Sequence, residues 1–194
     1  MQRVIKVLFI VLVVSVTVAC AARFNPETRM YTVYGVSKFM LPEGYTEVGR
    51  TTVNVLPKTN ISGAFPYQSF NTTIFHDGES YIFSQVLILS GGRYYIRPLG
   101  GAKVFKWGVS WRQGMYQLSP ANTSDEYRRY FKFIRDKGLP VASGYAVDVY
   151  DRLIGRRAVT RVMILRPDNG VSGYASMPPA NAFYTLWRDD FRSR

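Results

Sequence analysis

Apolar residues open this chain as a nearly unbroken block and then thin out into shorter periods. Val7 to Val18 is interrupted only by Ser15 and Thr17, a run short of the roughly 20 residues a membrane span needs. From Tyr31 the spacing falls towards two. Runs from Tyr31 to Phe39 and from Tyr45 to Leu56 read as strands, with Pro42 and Gly44 as the turn between them. In the second run Val48, Arg50, Thr52 and Asn54 share a mostly polar face, which places that strand at a sheet edge. Pro57, Asn60, Ser62, Gly63 and Pro66 then spell a loop.

The centre reads as a meander. Phe70 to Phe75 and Ser80 to Leu89 flank His76, Asp77, Gly78 and Glu79, and Asp-Gly between two strand-like runs predicts a hairpin. Gly91 and Gly92 lead into a strand from Arg93 to Leu99, and Gly100 with Gly101 into another from Lys103 to Trp111. In that last run Phe105, Trp107, Val109 and Trp111 alternate with Val104, Lys106, Gly108 and Ser110, so one face is expected to be core. Gln113 and Gly114 are expected to turn the chain before Met115 to Leu118.

At Asn122 the period lengthens. Thr123 and Glu126 have the spacing of a capping box, in which each side chain satisfies an otherwise orphaned amide at a helix start. Tyr127, Tyr130, Phe131 and Ile134 recur at helical spacing, and Gly138 with Pro140 closes the segment, predicting a helix over about 124–137. Its other side carries Arg128, Lys132 and Arg135 as a basic stripe, with Asp125 and Asp136 near the ends. Strands over Val141 to Tyr150 and Arg157 to Arg166 follow. In the second, both alternating sets are apolar enough for both faces to be covered. Residues 167–170 read as a turn. A second helix is expected over about 179–191, burying Phe183, Leu186 and Trp187. The pattern is that of an α+β domain: a mainly antiparallel meander sheet with two helices, spanning 31–194 as one globular body.

The opening block carries Arg3 and Lys6 ahead of its apolar stretch and ends in Thr17, Val18, Ala19 and Cys20. A positive segment, an apolar segment and a small-residue exit are the parts of an export signal, and Cys20 is the sole cysteine. Here the chain resembles the bacterial lipoproteins, whose lipobox closes on the cysteine that becomes lipid-modified; Thr17 departs from the aliphatic residue usual at its position. The resemblance covers residues 1–20 and carries no enzymatic content. It implies a signal peptide over 1–19 cut between Ala19 and Cys20, acyl chains on the Cys20 sulfur and its amino group, and a lipidated tether over 20–30. Ala21, where Asp would favour inner-membrane retention, implies a bacterial envelope protein at the outer membrane facing the periplasm. The same residues also form an A-x-A site, Ala19-Cys20-Ala21, which would discard Cys20 and release a soluble exported protein.

Charge sharpens the partner class. The chain has 25 basic and 13 acidic residues; without Arg3 and Lys6 the mature form keeps 23 against 13, or +10. On an exported protein such a balance points to an anionic lipid, an acidic glycan or an envelope protein before nucleic acid. The Arg, Lys and aromatic residues between Gly91 and Arg112 resemble a base-stacking surface in composition, yet shared-side aromatics fit a core face better. With one cysteine no internal disulfide can form, so packing must supply the stability.

Catalytic groups are sparse. His76 is the only histidine, beside Asp77 in an expected exposed turn; the pair defines the alternative reading, a periplasmic hydrolase. Asp148 with Asp151, and Asp189 with Asp190, have spacings that diverge rather than converge, and surface pairing with nearby arginines accounts for them. Ser172 lacks the final glycine of a nucleophile elbow. A multi-histidine metal site is excluded by count, and neither a phosphate-cradling loop nor a dinucleotide fingerprint is present, so no cofactor is expected. The expectation is a non-enzymatic interaction or structural module tethered at Cys20, with Arg128, Lys132 and Arg135 as its candidate surface for an anionic partner.

Overall fold

The computed structural model describes residues 23–33, 37–55, 68–89, 94–96, 100–168, 173–178 and 186–188. They fall into two compact units divided between Glu43 and Gly44.

The first unit is a three-stranded antiparallel sheet of β1 (Arg23–Asn25), β2 (Met30–Val33) and β3 (Ser37–Met40). Asn25 accounts for its first turn, accepting hydrogen bonds at its side-chain oxygen from the amides of Glu27 at 2.9 Å and Thr28 at 3.1 Å. That local bonding folds the segment expected to be a tether back onto β2. The single strand expected over 31–39 is a hairpin, in which Tyr31 pairs with Phe39 and their rings lie 5.4 Å apart.

The second unit is built on β4 (Thr46–Val55), β5 (Gln68–His76), β6 (Tyr81–Ile88), β7 (Tyr94–Ile96), β8 (Ala102–Lys106), β9 (Val109–Leu118), α1 (Asp125–Asp136), β10 (Tyr145–Ile154), β11 (Ala158–Pro167) and β12 (Leu186–Arg188). Seven strands form one antiparallel sheet in the order β4-β5-β6-β11-β10-β9-β8. Two meanders thus meet where β6 pairs with β11. The polar-faced β4 is an edge strand, as its pattern required, and β8 is the other edge.

The amphipathic period of α1 buries Tyr127, Tyr130, Phe131 and Ile134 against one face of the sheet, among Phe70, Ile74, Tyr81, Phe83, Tyr145, Val147, Met163 and Leu165. Phe131 stacks on Tyr145 at 5.6 Å. Both faces of β11 are covered: Val159, Met163 and Leu165 are buried on one side and Thr160 and Val162 on the other.

Four further expectations change in the second unit. The start of α1 is capped by Ser124, one residue later than the capping box requires. Ser124 makes no side-chain cap bond, and Thr123 Oγ1 has no hydrogen-bond partner. The strand expected over 103–111 is a hairpin of β8 and β9, because Trp107 and Gly108 both take positive φ, 53° and 77°, the two-residue turn that matches strand twist. Inserting that turn shifts the phase of alternation: Phe105 is 76 % exposed while Trp111 is buried, so the four aromatic and apolar positions share no common core face. The turn expected at Gln113 and Gly114 is instead mid-strand, and Gly114 is there for close approach; a Cβ on it would lie 2.6 Å from the Tyr116 ring. Lastly, the helix expected over 179–191 is not observed. Its described part, Leu186–Arg188, is the strand β12, whose ladder to β7 takes up its backbone groups; residues 179–185 and 189–191 lie outside the described residues.

Candidate functional site

One register row of the large sheet carries most of its chemistry. Thr51, Thr72, Gln85, Arg161, Asp151, Arg112 and Lys103 are successive cross-strand partners, one each from β4, β5, β6, β11, β10, β9 and β8. Directly opposed residues share a face. Thr72 puts this row on the face under α1, since its Oγ1 donates to the Tyr130 hydroxyl at 3.0 Å. A polar seam therefore crosses a face otherwise built from aromatic and aliphatic side chains.

The middle of the seam is sealed. Arg161 is 0 % and Asp151 4 % exposed. Arg161 Nε donates to Asp151 Oδ1 at 2.7 Å and Nη2 donates to Oδ2 at 3.3 Å, a two-pronged pairing of guanidinium and carboxylate. Burial pushes the Asp151 carboxyl up, with the Arg161 charge acting against it. Burial likewise pushes the Tyr130 hydroxyl up to about 12, despite hydrogen bonds to Thr72 and Gln85. The surface pairing expected for two aspartates holds for Asp148, which meets the exposed Arg166. It fails for Asp151, because register sets Asp151 opposite Arg161 inside the core.

At β8 and β9 the seam opens. Lys103, Ser110, Arg112, Arg152 and Leu153 line, with the edge of Asp151, an open groove of about 470 Å³. Lys103 and Arg112 stand directly opposite each other, a like-charge pairing that destabilises a sheet. Arg112 Nη1 donates to the Gly101 carbonyl at 3.1 Å, which anchors its guanidinium. The carboxylate in this lining is engaged through both oxygens by Arg161, so the groove's outer charge is cationic. Nearby, Lys106 clamps the hairpin tip. Its Nζ donates to the Tyr150 hydroxyl at 2.9 Å and lies 4.3 Å and 4.8 Å from the Tyr150 and Trp107 ring centres, while Trp111 Nε1 donates to the Lys106 carbonyl at 3.0 Å.

The expected basic stripe lies on the exposed side of α1, but much of its charge is matched locally. Arg128 pairs with Asp125 at 2.9 Å and Lys132 with Asp136 at 2.7 Å; Arg135 sits in the last turn, where a cation complements the helix dipole. His76 is not an exposed turn residue. It ends β5, buried, with its ring stacked 4.4 Å from Tyr81 and its Nδ1 accepting the Gly78 amide at 3.3 Å. Asp77 Oδ1 accepts the amides of Glu79 and Ser80 at 3.0 Å and 2.7 Å. Desolvation would raise the Asp77 carboxyl, but those amides and the Tyr45 hydroxyl outweigh it and hold the group below its usual range. Both residues are thus committed to shaping the hairpin. Ala19, Cys20, Ala21, Ser172, Asp189 and Asp190 lie outside the described residues. Among the described residues no group of three or more His, Cys, Asp or Glu side chains is placed to hold a metal ion, and no helix is long and apolar enough to cross a membrane.

Neither the buried pair nor the groove was singled out from the sequence. Arg161 shares its strand face with Val159, Met163 and Leu165, and a charge inside an apolar face is the signal that would have found it. Lys103 and Arg112 needed the pairing of β8 with β9. No family model, curated protein or solved structure matches the chain.

Proposed function

We propose that this protein is a non-enzymatic binding module of the bacterial envelope, lipid-anchored through Cys20 at the outer membrane and facing the periplasm. Its basic surface engages an anionic partner. The direct opposition of Lys103 and Arg112 at the mouth of the groove carries the binding half of this reading. Folding alone disfavours two cations on one cross-strand pair, and an anion between them turns that cost into affinity. The groove is favoured over the helix stripe because Asp125 and Asp136 already compensate Arg128 and Lys132. A hydrolase built on His76 and Asp77 gains no support, since the His76 ring is stacked and buried and Asp77 is held by its own turn.

The anchoring half rests on the lone cysteine at the end of the apolar block. Cells given radiolabelled palmitate are expected to label the chain at Cys20, and globomycin to accumulate its precursor. A mature form that begins at residue 22, or a Cys20→Ser chain that still labels, would remove the anchor.

A further inference from the structure

We infer that the groove at the β8–β9 edge seats a phosphoryl group carried on a sugar or glycerol unit. This rests on reading the basic surface as a binding surface and names the ligand of that site. Two cations, Lys103 and Arg112, line the groove from the same face of the sheet, and the Asp151 charge is turned inward onto Arg161. A carboxylate would answer only one of them, whereas a phosphomonoester brings about −1.5 to −2 charges at neutral pH and three acceptor oxygens. The donors suit it. Arg112 offers a planar fork and Lys103 a point charge, and the Ser110 hydroxyl lies two residues before Arg112 on the same strand face.

Size and rigidity add the rest of the ligand. About 470 Å³ falls in the range of small-molecule sites and exceeds what a bare phosphate fills, while Leu153 offers apolar contact to a carbon skeleton. The mouth is held in shape before any ligand arrives. Arg112 is tied to the Gly101 carbonyl, and the chain at Gly101 runs so close to β9 that a Cβ there would sit 2.7 Å from the Gln113 carbonyl oxygen. Such preorganisation lowers the cost of binding.

The test uses the full-length chain in neutral detergent, titrated with glucose 1-phosphate and followed by calorimetry and ³¹P NMR, with glucose as the phosphate-free control. A second arm measures association with phosphatidylcholine vesicles with and without phosphatidic acid. Saturable binding of the sugar phosphate, absent for glucose, is expected to weaken about tenfold or more in K103E and in R112E, and to persist in the R128E/K132E/R135E chain. Binding in the vesicle arm alone, lost in K103E, assigns the phosphoryl group to a lipid head group. Should a charge-reversed chain fold poorly, K103Q serves instead: it removes the like-charge opposition, so it is expected to melt no lower than the wild type while binding less. Failure of both probes, or binding untouched by K103E, K103Q and R112E, overturns the inference. Binding lost only in the helix variant also overturns it, yet leaves the anionic-partner reading standing.

Discussion

Asp151 and Arg161 pose the sharpest question of any residues in the molecule, because two charges inside a core cost several kcal/mol each to dehydrate and recover it only through close pairing. Their geometry supplies that pairing through two hydrogen bonds. Asp151→Asn is therefore expected to cost about 3–5 kcal/mol in urea unfolding, since it strands a buried guanidinium. Asp151→Asn with Arg161→Met should recover much of that loss, and a double variant no better than the single would show that the pair is not the cause. Asp77 makes a different prediction. Its folded-state affinity for protons is lower than in the unfolded chain, so its contribution is present above the ordinary carboxyl pKa of about 3.9 and fades as pH falls through the lower folded value. Thermal melts should show Asp77→Ala below the wild type at pH 6 and the two converging towards pH 2; a gap that stays constant with pH would refute the carboxylate's role.

Among elements, α1 was legible because tertiary packing and local period agree. Tyr127, Tyr130, Phe131 and Ile134 are both its apolar stripe and its buried residues, and Phe131→Ala is expected to cost about 3–5 kcal/mol. Its cap was not legible, because Thr123 and Ser124 both resemble cap residues and neither hydroxyl makes a hydrogen bond. Ser124→Ala should accordingly cost well under the roughly 1 kcal/mol of a working cap. The β8–β9 hairpin was hidden by its own regularity. Alternation continues through Lys103 to Trp111 in the sequence, and only the positive φ of Trp107 and Gly108 reveals the reversal. Gly101→Ala is expected to destabilise more than Gly108→Ala, although both need positive φ, because Gly101 also abuts the Gln113 carbonyl whereas nothing lies within 4 Å of a Cβ at Gly108. Equal losses in chemical denaturation would mean that backbone conformation, not the contact, dominates.

For the whole molecule, charge and topology act together. A chain of net charge +12 is expected to associate with anionic vesicles at low ionic strength and to release them as salt rises from about 0.1 to 1 M, over which the screening length falls from roughly 10 to 3 Å. Salt-insensitive association would point to apolar insertion instead. The two meanders bring β6 against β11, and this one pairing completes the row from Thr51 to Lys103. Before the sheet closes, its members lie scattered over more than a hundred residues of chain with no shared motif.

What the sequence determined by itself is whatever depends on near neighbours: the α+β class, the hairpin at Asp77-Gly78, the edge character of β4 and the apolar stripe of α1. Each follows from side-chain period or turn chemistry within a dozen residues. Tertiary structure alone decided the split between Glu43 and Gly44, the strand at Leu186–Arg188, the burial of Asp151 with Arg161, and the meeting of Lys103 with Arg112. Those depend on register between distant strands. A one-residue slip would turn every side chain to the opposite face, so no local pattern could have specified which charges meet in the core and which reach the groove.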